Sequence, residues 1–408
     1  MEDKVDSLDE LHYANQASYD AQGVKTYVDS KVIAVNPDSK VVTVEKENGT
    51  TYEESYDQLI LSPGGLPGKP PIEGVDSENI FFFRGRGWTD IVRKRKDVAE
   101  KAVIVGGGFI GIQVAQAYTL AGIDTTVIDM EERLLPTYLD KEFTDLLEQH
   151  AAEKGLNFRP GEAVQEFVAD GQGAVEKVVT DKGEYEADTV ILATGVVPGT
   201  KWLEGILEMT DNGYIKVNEY QQSSEEDIYA AGDATMYPYA PTGGLAPTGL
   251  ATLSSREAVI AAKNVAAGEN KFKTPAMSGT AALHLFDYKF ASTGLNDASA
   301  ARTDLNISSK FYQTRILPEF IDDDREILMK IHYETDTHRI LGAQLMSKKD
   351  ITQSINTMSV IISAKMTLEN LALQDFFFQP ERNNRWNYLN QLAQQALGET
   401  FGSDQQLF

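Results

Sequence analysis

The chain has no cysteine. That absence excludes disulfides, thiolate-held metals and any redox station built on a thiol within these residues. Histidine is scarce: His12, His150, His284, His332 and His338 are the whole set. They show no metal-ligand spacing, and His332 and His338 merely flank a turn, so no metal is expected. No apolar run approaches the roughly 20 residues that cross a bilayer. The opening Met1-Glu2-Asp3-Lys4-Val5-Asp6 is acidic and lacks the apolar stretch of a secretory leader. The expectation is therefore a cytoplasmic protein with no membrane partner. Positive charge is also short: 37 Lys and Arg against 62 Asp and Glu give a net charge of −25. That balance disfavours nucleic acid as a partner. The basic run Arg93-Lys94-Arg95-Lys96 reads as the solvated end of a helix just before a strand at Lys101.

What is present is enough for several cores: 408 residues, 42% of them hydrophobic. The most informative stretch is Val103-Ile104-Val105-Gly106-Gly107-Gly108-Phe109-Ile110-Gly111. An apolar β-type run ends in Gly-x-Gly-x-x-Gly and passes directly into a helical pattern. A second β-branched run, Thr125-Thr126-Val127-Ile128, ends at Asp129, eighteen residues beyond Gly111. Strand, glycine turn, helix, strand and acidic terminus together form a dinucleotide fingerprint. Gly106 permits the tight turn, Gly108 lets backbone approach a pyrophosphate, and Gly111 lets helix and strand pack closely. The helix N-terminus would receive the phosphate charge. Asp129 would accept hydrogen bonds from a ribose 2′-hydroxyl and repel a 2′-phosphate, which selects NAD over NADP.

The nucleotide unit continues in a readable order, and that order occurs twice. A helical pattern from about Tyr138 to Lys154 stops at Gly155, and Leu156-Asn157-Phe158 reads as a strand. A meander broken at Asp170-Gly171 and Asp181-Lys182-Gly183 follows, and Val190–Gly195 is a closing buried strand. Earlier, a polar helical pattern from about Ser7 stops at Gly23, and Val24–Val28 reads as a strand. Turns at Pro37-Asp38-Ser39 and Asn48-Gly49 precede a closing strand, Leu59–Gly64. The spacing agrees: 41 residues from Gly23 to Gly64, and 40 from Gly155 to Gly195. Two related nucleotide domains are implied. Superposing Gly23 on Gly155 projects the counterparts of Gly106 and Asp129 ahead of Met1. The expectation is that the first domain's opening βαβ element is missing.

Two dinucleotide domains with meander insertions resemble the FAD/NAD pyridine-nucleotide disulfide oxidoreductases. Ala193-Thr194-Gly195-Val196-Val197-Pro198 is similar to that family's Ala-Thr-Gly-x-x-Pro segment. Asp227-Ile228-Tyr229-Ala230-Ala231-Gly232-Asp233-Ala234 is similar to its second flavin motif. A helical pattern from Thr248 to about Ala267 follows; its N-terminus would suit an anionic flavin edge, or Thr248 would simply cap a core helix. Tyr138–Phe143, Phe286–Gly294, Leu341–Ser347 and Asp375–Pro380 resemble the NADH oxidase and NADH peroxidase branch.

The resemblance implies an α/β fold: two Rossmann-like FAD/NAD(P)-binding domains with β-meander insertions, plus a C-terminal α+β dimerisation domain. The FAD-binding domain would span 1–95 and 213–272, the NAD-binding domain 96–212 and the dimerisation domain 273–408. It implies FAD and NAD as cofactors, NADH with O₂ or H₂O₂ as reactants, and a homodimer or homotetramer. By resemblance, Tyr138 and Gly195 join Gly106, Gly108, Phe109, Ile110, Gly111 and Asp129 around the nicotinamide nucleotide. Ser62, Gly64, Arg84, Gly232, Asp233, Leu250, Ala251 and Thr252 match flavin contacts.

Three departures stand against this. Gln113 occupies a position where the branch has glutamate, and Ala281-Ala282 replaces a common Ser-Gly. The branch's redox cysteine and active-site histidine have no counterpart, so no catalytic residue is assigned. A cysteine-free NADH:acceptor flavin reductase, or a non-catalytic NAD-binding remnant, remain as alternatives.

Overall fold

A computed structural model describes residues 7–11, 14–323 and 325–401; His12 lies outside them. Two nucleotide-type units precede a C-terminal α+β unit, the fold class expected. In the second unit the strand Lys101–Val105 is buried from its second residue on, and Thr189–Leu192 is buried throughout. Both read as unbroken apolar runs because both lie inside a parallel sheet covered on two faces. Its order is Ile80–Phe82, Thr189–Leu192, Lys101–Val105, Asp124–Ile128, Leu156–Arg159. The helix Phe109–Leu120 is apolar nearly all round and buries Ile112, Val114, Ala115 and Tyr118. The helix Lys141–Glu153 turns Phe143, Leu147 and Ala151 inward. The expected meander is present as Val164–Ala169, Val175–Thr180 and Glu184–Glu186.

The first unit carries the matching meander, Ser30–Asn36, Val41–Lys46 and Thr51–Ser55. It also carries a parallel pair, Leu59–Leu61 with Ile228–Ala230, which has two strands among the described residues. An antiparallel ribbon, Gly65–Pro67 with Val196–Pro198, ties the two units together. The C-terminal unit is an antiparallel sheet in the order Ala281–Leu285, Tyr288–Gly294, Ile340–Ser347, Glu326–Glu334, Ile307–Arg315, with helices packed on it. One face presents Leu285, Phe290, Leu328 and Met346 to Phe143 and Leu147 of the second unit in a single apolar cluster.

Several expectations need correction. Val24–Val28 is not a strand: among the described residues no neighbour pairs with it, and Val24, Tyr27 and Val28 are exposed. A β-prone run without a partner has no ladder to make it a strand. The helix expected from Ser7 to Gly23 is a 3₁₀ turn at Leu8–Leu11 and a short helix at Gln16–Asp20. The pattern from Tyr138 becomes helical only at Lys141.

The domain boundary at 95 falls too late, because Ile80–Phe82 is an edge strand of the second sheet and the helix Gly85–Arg95 buries Val92 in that unit's core. The boundary at 212 also falls too late, because Leu203 and Leu207 pack with Val35, Val42, Leu61 and Ile228 of the first unit. The chain crosses at the ribbon instead. Nor is the basic run uniformly solvated: Arg95 donates to Thr189 Oγ1 and to the Asp188 carbonyl, both at 2.8 Å.

Candidate functional site

Strand Lys101–Val105 ends at Gly106, whose φ is +111°; a Cβ there would meet the Ala193 carbonyl oxygen at 2.5 Å. Gly111, on the first helical turn, faces back onto this loop, and a Cβ there would sit 1.8 Å from the Gly106 carbonyl oxygen. A Cβ at either place would therefore push helix and strand apart. Gly108 is the helix N-cap, with no side-chain cap and open space where a Cβ would be. The first N–H groups of a twelve-residue helix are thus left for an anion. At the end of the neighbouring strand, the Asp129 carboxylate accepts from the Gly107 amide at 2.5 Å and from the Glu131 amide at 2.9 Å. Both bonds fix the carboxylate against the glycine loop.

This loop forms one end of a cavity of about 1050 Å³. Gly106, Gly108, Phe109, Ile110, Asp129, Tyr138 and Gly195 line it, as do Arg84 of the second unit and Asp233 and Leu250 of the first. Candidates drawn from both units therefore meet in one space. Tyr138 stacks on Phe109 with ring centroids 3.6 Å apart and planes 12° apart, and burial raises its phenol's pKa. Leu283 of the C-terminal sheet and Gln113 of the glycine-loop helix also border the cavity.

The opposite end is built from the close of strand Ile228–Ala230 and the start of helix Ala251–Ala267. Asp233 pairs with Arg84 at 2.5 Å and accepts from Ser254 Oγ at 3.3 Å. The helix begins at Leu250 without a side-chain cap, so its first-turn donors are free of competition from its own side chains. The reading of Thr248 as N-cap is overturned: its hydroxyl donates instead to Glu257, at 2.7 Å. Glu257 is the polar residue that sequence reasoning missed. It is fully buried, and it also takes the Gly232 amide at 2.7 Å and the Thr235 hydroxyl at 2.9 Å. Burial pushes its carboxyl up despite these donors. Glu257 thereby ties the Gly232-Asp233 turn to the helix; a lone glutamate in a helical pattern carried no signal of this.

Not every candidate reaches the cavity. Gly111 lies behind the loop, Gly232 is committed to Glu257, and Ser62 donates to the Ala231 carbonyl at 2.9 Å. Gly64 has φ +69° beside the ribbon, and Ala251 and Thr252 are exposed on the helix's first turn. An uncapped helix N-terminus beside a strand-end carboxylate suits the ring and ribityl portion of a flavin. A glycine-rich strand-to-helix turn for a dinucleotide pyrophosphate is present, among the described residues, at Gly106–Gly111.

One acidic cluster has metal-like spacing: ligand atoms of Asp140, Asp297 and His332 lie within 4.8 Å of one another. A protein cation already occupies it. The buried Lys330 ammonium is 2.6 Å from Asp297, 2.9 Å from Glu142 and 3.2 Å from Asp140. His332, read from sequence as a turn-flanking residue, is buried here with Nε2 2.8 Å from Asp297. Gln344 completes the junction, accepting from the Asp140 amide and donating to its carboxylate, each at 2.7 Å.

Two joined nucleotide units, a shared cleft and an antiparallel C-terminal sheet define a dinucleotide-dependent oxidoreductase. Residues 2–260 match the model of the pyridine nucleotide-disulphide oxidoreductase family, and residues 280–388 match that family's dimerisation domain. The chain belongs to this family. It is 41% identical over 394 residues to an NADH oxidase of Enterococcus faecalis, covering 96% of this chain and 88% of that protein. Over 386 residues it is 32% identical to an NAD(P)H coenzyme A polysulfide/persulfide reductase of Pyrococcus horikoshii, covering 94% and 86%. Among solved structures, the water-forming NADH oxidase from Lactobacillus brevis, bound to NADH, is similar with a TM-score of 0.94 and 35% identity. That match covers 97% of this chain and 88% of the other. Among the described residues, no helix is long and apolar enough to cross a membrane.

Proposed function

We propose that the chain is an NADH-dependent flavin oxidoreductase of the NADH oxidase type, with FAD and NAD(H) as its cofactors and oxygen or hydrogen peroxide as acceptor. The observation that carries this reading is the single cavity running from the Gly106–Gly111 turn and Asp129 to Asp233 and the Leu250 helix start. When bound, the flavin accepts hydride from NADH and passes electrons to the acceptor. The chain's own residues do the positioning. The uncapped helix at Gly108 receives the nucleotide phosphates, Asp129 takes the ribose, and Tyr138 with Phe109 forms an aromatic wall over the cleft. Asp233, held by Arg84, would hydrogen-bond the flavin's polyol chain, and the Ala251–Ala267 helix start would face the ring. Residues 280–388 would carry a homodimer. NADH titration of the flavin-loaded protein tests the reading; bleaching of the flavin absorbance is the expected result, and no change would sink it.

A second reading, an NADH:acceptor flavin reductase, is favoured by the absence of cysteine from the 408 residues. A reduced flavin acting without a thiol passes two electrons to O₂ and releases H₂O₂. Water requires four electrons and hence two NADH per O₂. The peroxide yield separates the two.

A further inference from the structure

We infer that Glu162 reads the 6-amino group of the adenine ring, so that the nucleotide half-site selects a 6-aminopurine dinucleotide. This deepens the proposed function and rests on its placement of NADH. If Asp129 meets the adenosine ribose, the base lies beyond Asp129 on the side away from the glycine loop. On that side the cavity is bordered by Met130, Glu131, Glu162 and Val164. The Glu162 loop is fixed there by its own backbone. The Glu162 amide donates to the Asp129 carbonyl at 2.9 Å, and the Gly161 amide donates to that of Glu131 at 3.0 Å.

Glu162 is 8% exposed yet borders the cavity. Its carboxylate accepts from Tyr185 Oη at 2.8 Å and from Thr180 Oγ1 at 2.9 Å. Two hydroxyl donors do not exhaust the roughly four acceptor sites of a carboxylate. What remains is an acceptor-only group, preset by two hydroxyls, on a residue that borders the cavity between Glu131 and Val164. An amino group complements it; a carbonyl at the same place would set lone pairs against lone pairs. Asp129 distinguishes the sugar, and Glu162 distinguishes the base.

The test compares NADH with deamino-NADH, in which the 6-amino group is replaced by a carbonyl oxygen. Dissociation constants come from nucleotide fluorescence titrations of the full chain, so activity is not needed. Wild type should bind deamino-NADH about tenfold or more weakly, the value of one hydrogen bond to a charged acceptor. In Glu162→Gln the amide oxygen can still serve Tyr185 and Thr180 while the amide nitrogen donates into the cavity. The ratio of the two constants should therefore collapse towards one or invert, which a purely structural role would not produce. A wild-type ratio near one, or a ratio unchanged in Glu162→Gln, overturns the inference while leaving NADH binding intact. Failure to bind either nucleotide would overturn the placement of NADH and this inference with it.

Discussion

Replacing Lys330 with methionine removes the cation at the junction between the nucleotide unit and the C-terminal sheet while nearly preserving its volume. Three carboxylates lose their partner, and they are not equivalent. Asp297 and Glu142 have side chains 55% and 37% exposed, so water can take over much of the role of Lys330, at up to about 1 kcal/mol each. Asp140 is 2% exposed and cannot be re-solvated. Breaking a buried pair from one side costs about 3–5 kcal/mol. Asp140 keeps donors from Gln344 Nε2 and the Asp297 amide, which places its loss at the low end, about 3 kcal/mol. At roughly 2–4 °C per kcal/mol, the Asp140 loss alone should lower the apparent melting temperature by roughly 6–12 °C at pH 7. Adding Asp140→Asn to Lys330→Met should recover part of the loss, because it removes the stranded charge. The pH dependence checks the cause. Hydrogen bonds from His332 and Lys330 hold the Asp297 carboxyl well below the usual carboxylate range. A depressed folded value means that its stabilising effect is present above about pH 4 and is lost as pH falls below it. The gap between wild type and Lys330→Met should therefore narrow on acidification. Differential scanning calorimetry measures all three variants. A Lys330→Met transition within about 1 °C of wild type at pH 7, or a gap that widens in acid, would refute the account. NADH affinity should weaken as well, since Asp140 lies two residues beyond Tyr138.

Asp129→Ala should narrow the preference for NADH over NADPH; near a surface, like charges a few ångströms apart cost on the order of 1–4 kcal/mol, and equal dissociation constants in wild type would contradict the role of Asp129. Gly111→Ala should weaken nucleotide binding, because its methyl would sit 1.8 Å from the Gly106 carbonyl oxygen and push the helix off the glycine loop; unchanged affinity in a titration would count against the turn geometry. Glu257→Ala should cost on the order of 3 kcal/mol by stranding two buried donors, the Gly232 amide and the Thr248 hydroxyl, read as a lower urea midpoint. Burial raises the Glu257 carboxyl above its unfolded value, so its contribution to stability declines as pH rises from about 4.5 through that raised value; a rise over that window, isolated by comparison with Glu257→Gln, would contradict the assignment. On the second, thiol-free reading, the 408-residue polypeptide supplied with FAD should release one H₂O₂ per O₂ consumed; a coupled peroxidase assay trapping none would disprove that reading.

What was legible in the sequence was local. The Gly106–Asp129 fingerprint needed only adjacent residues, and the structure places Gly106 and Gly111 where a side chain would meet backbone. Helix Ala251–Ala267 ends where the pattern ended because Gly268 takes a left-handed φ of +66°. The misread features depend on distant partners. Val24–Val28 has the composition of a strand, but composition does not supply a neighbour. Ile80–Phe82 was assigned to the wrong unit because only its pairing with Thr189–Leu192 reveals where it belongs.

The polar residues divide in the same way. Asp129 announced itself by standing eighteen residues beyond Gly111 at a strand end. Glu257 and Lys330 each sit inside an otherwise ordinary helix or strand, and their partners are contributed by other elements. Sequence separations of 188 between Lys330 and Glu142, and 25 between Glu257 and Gly232, show why no window could join them. On the proposed reading the motif residues define what the cleft binds, while the unannounced buried charges hold its two ends and its third wall in register. A glycine-loop variant should lose nucleotide affinity in an otherwise intact fold. Lys330→Met, by contrast, should lose stability and nucleotide affinity together, because the junction that it disrupts is also the support beneath Tyr138.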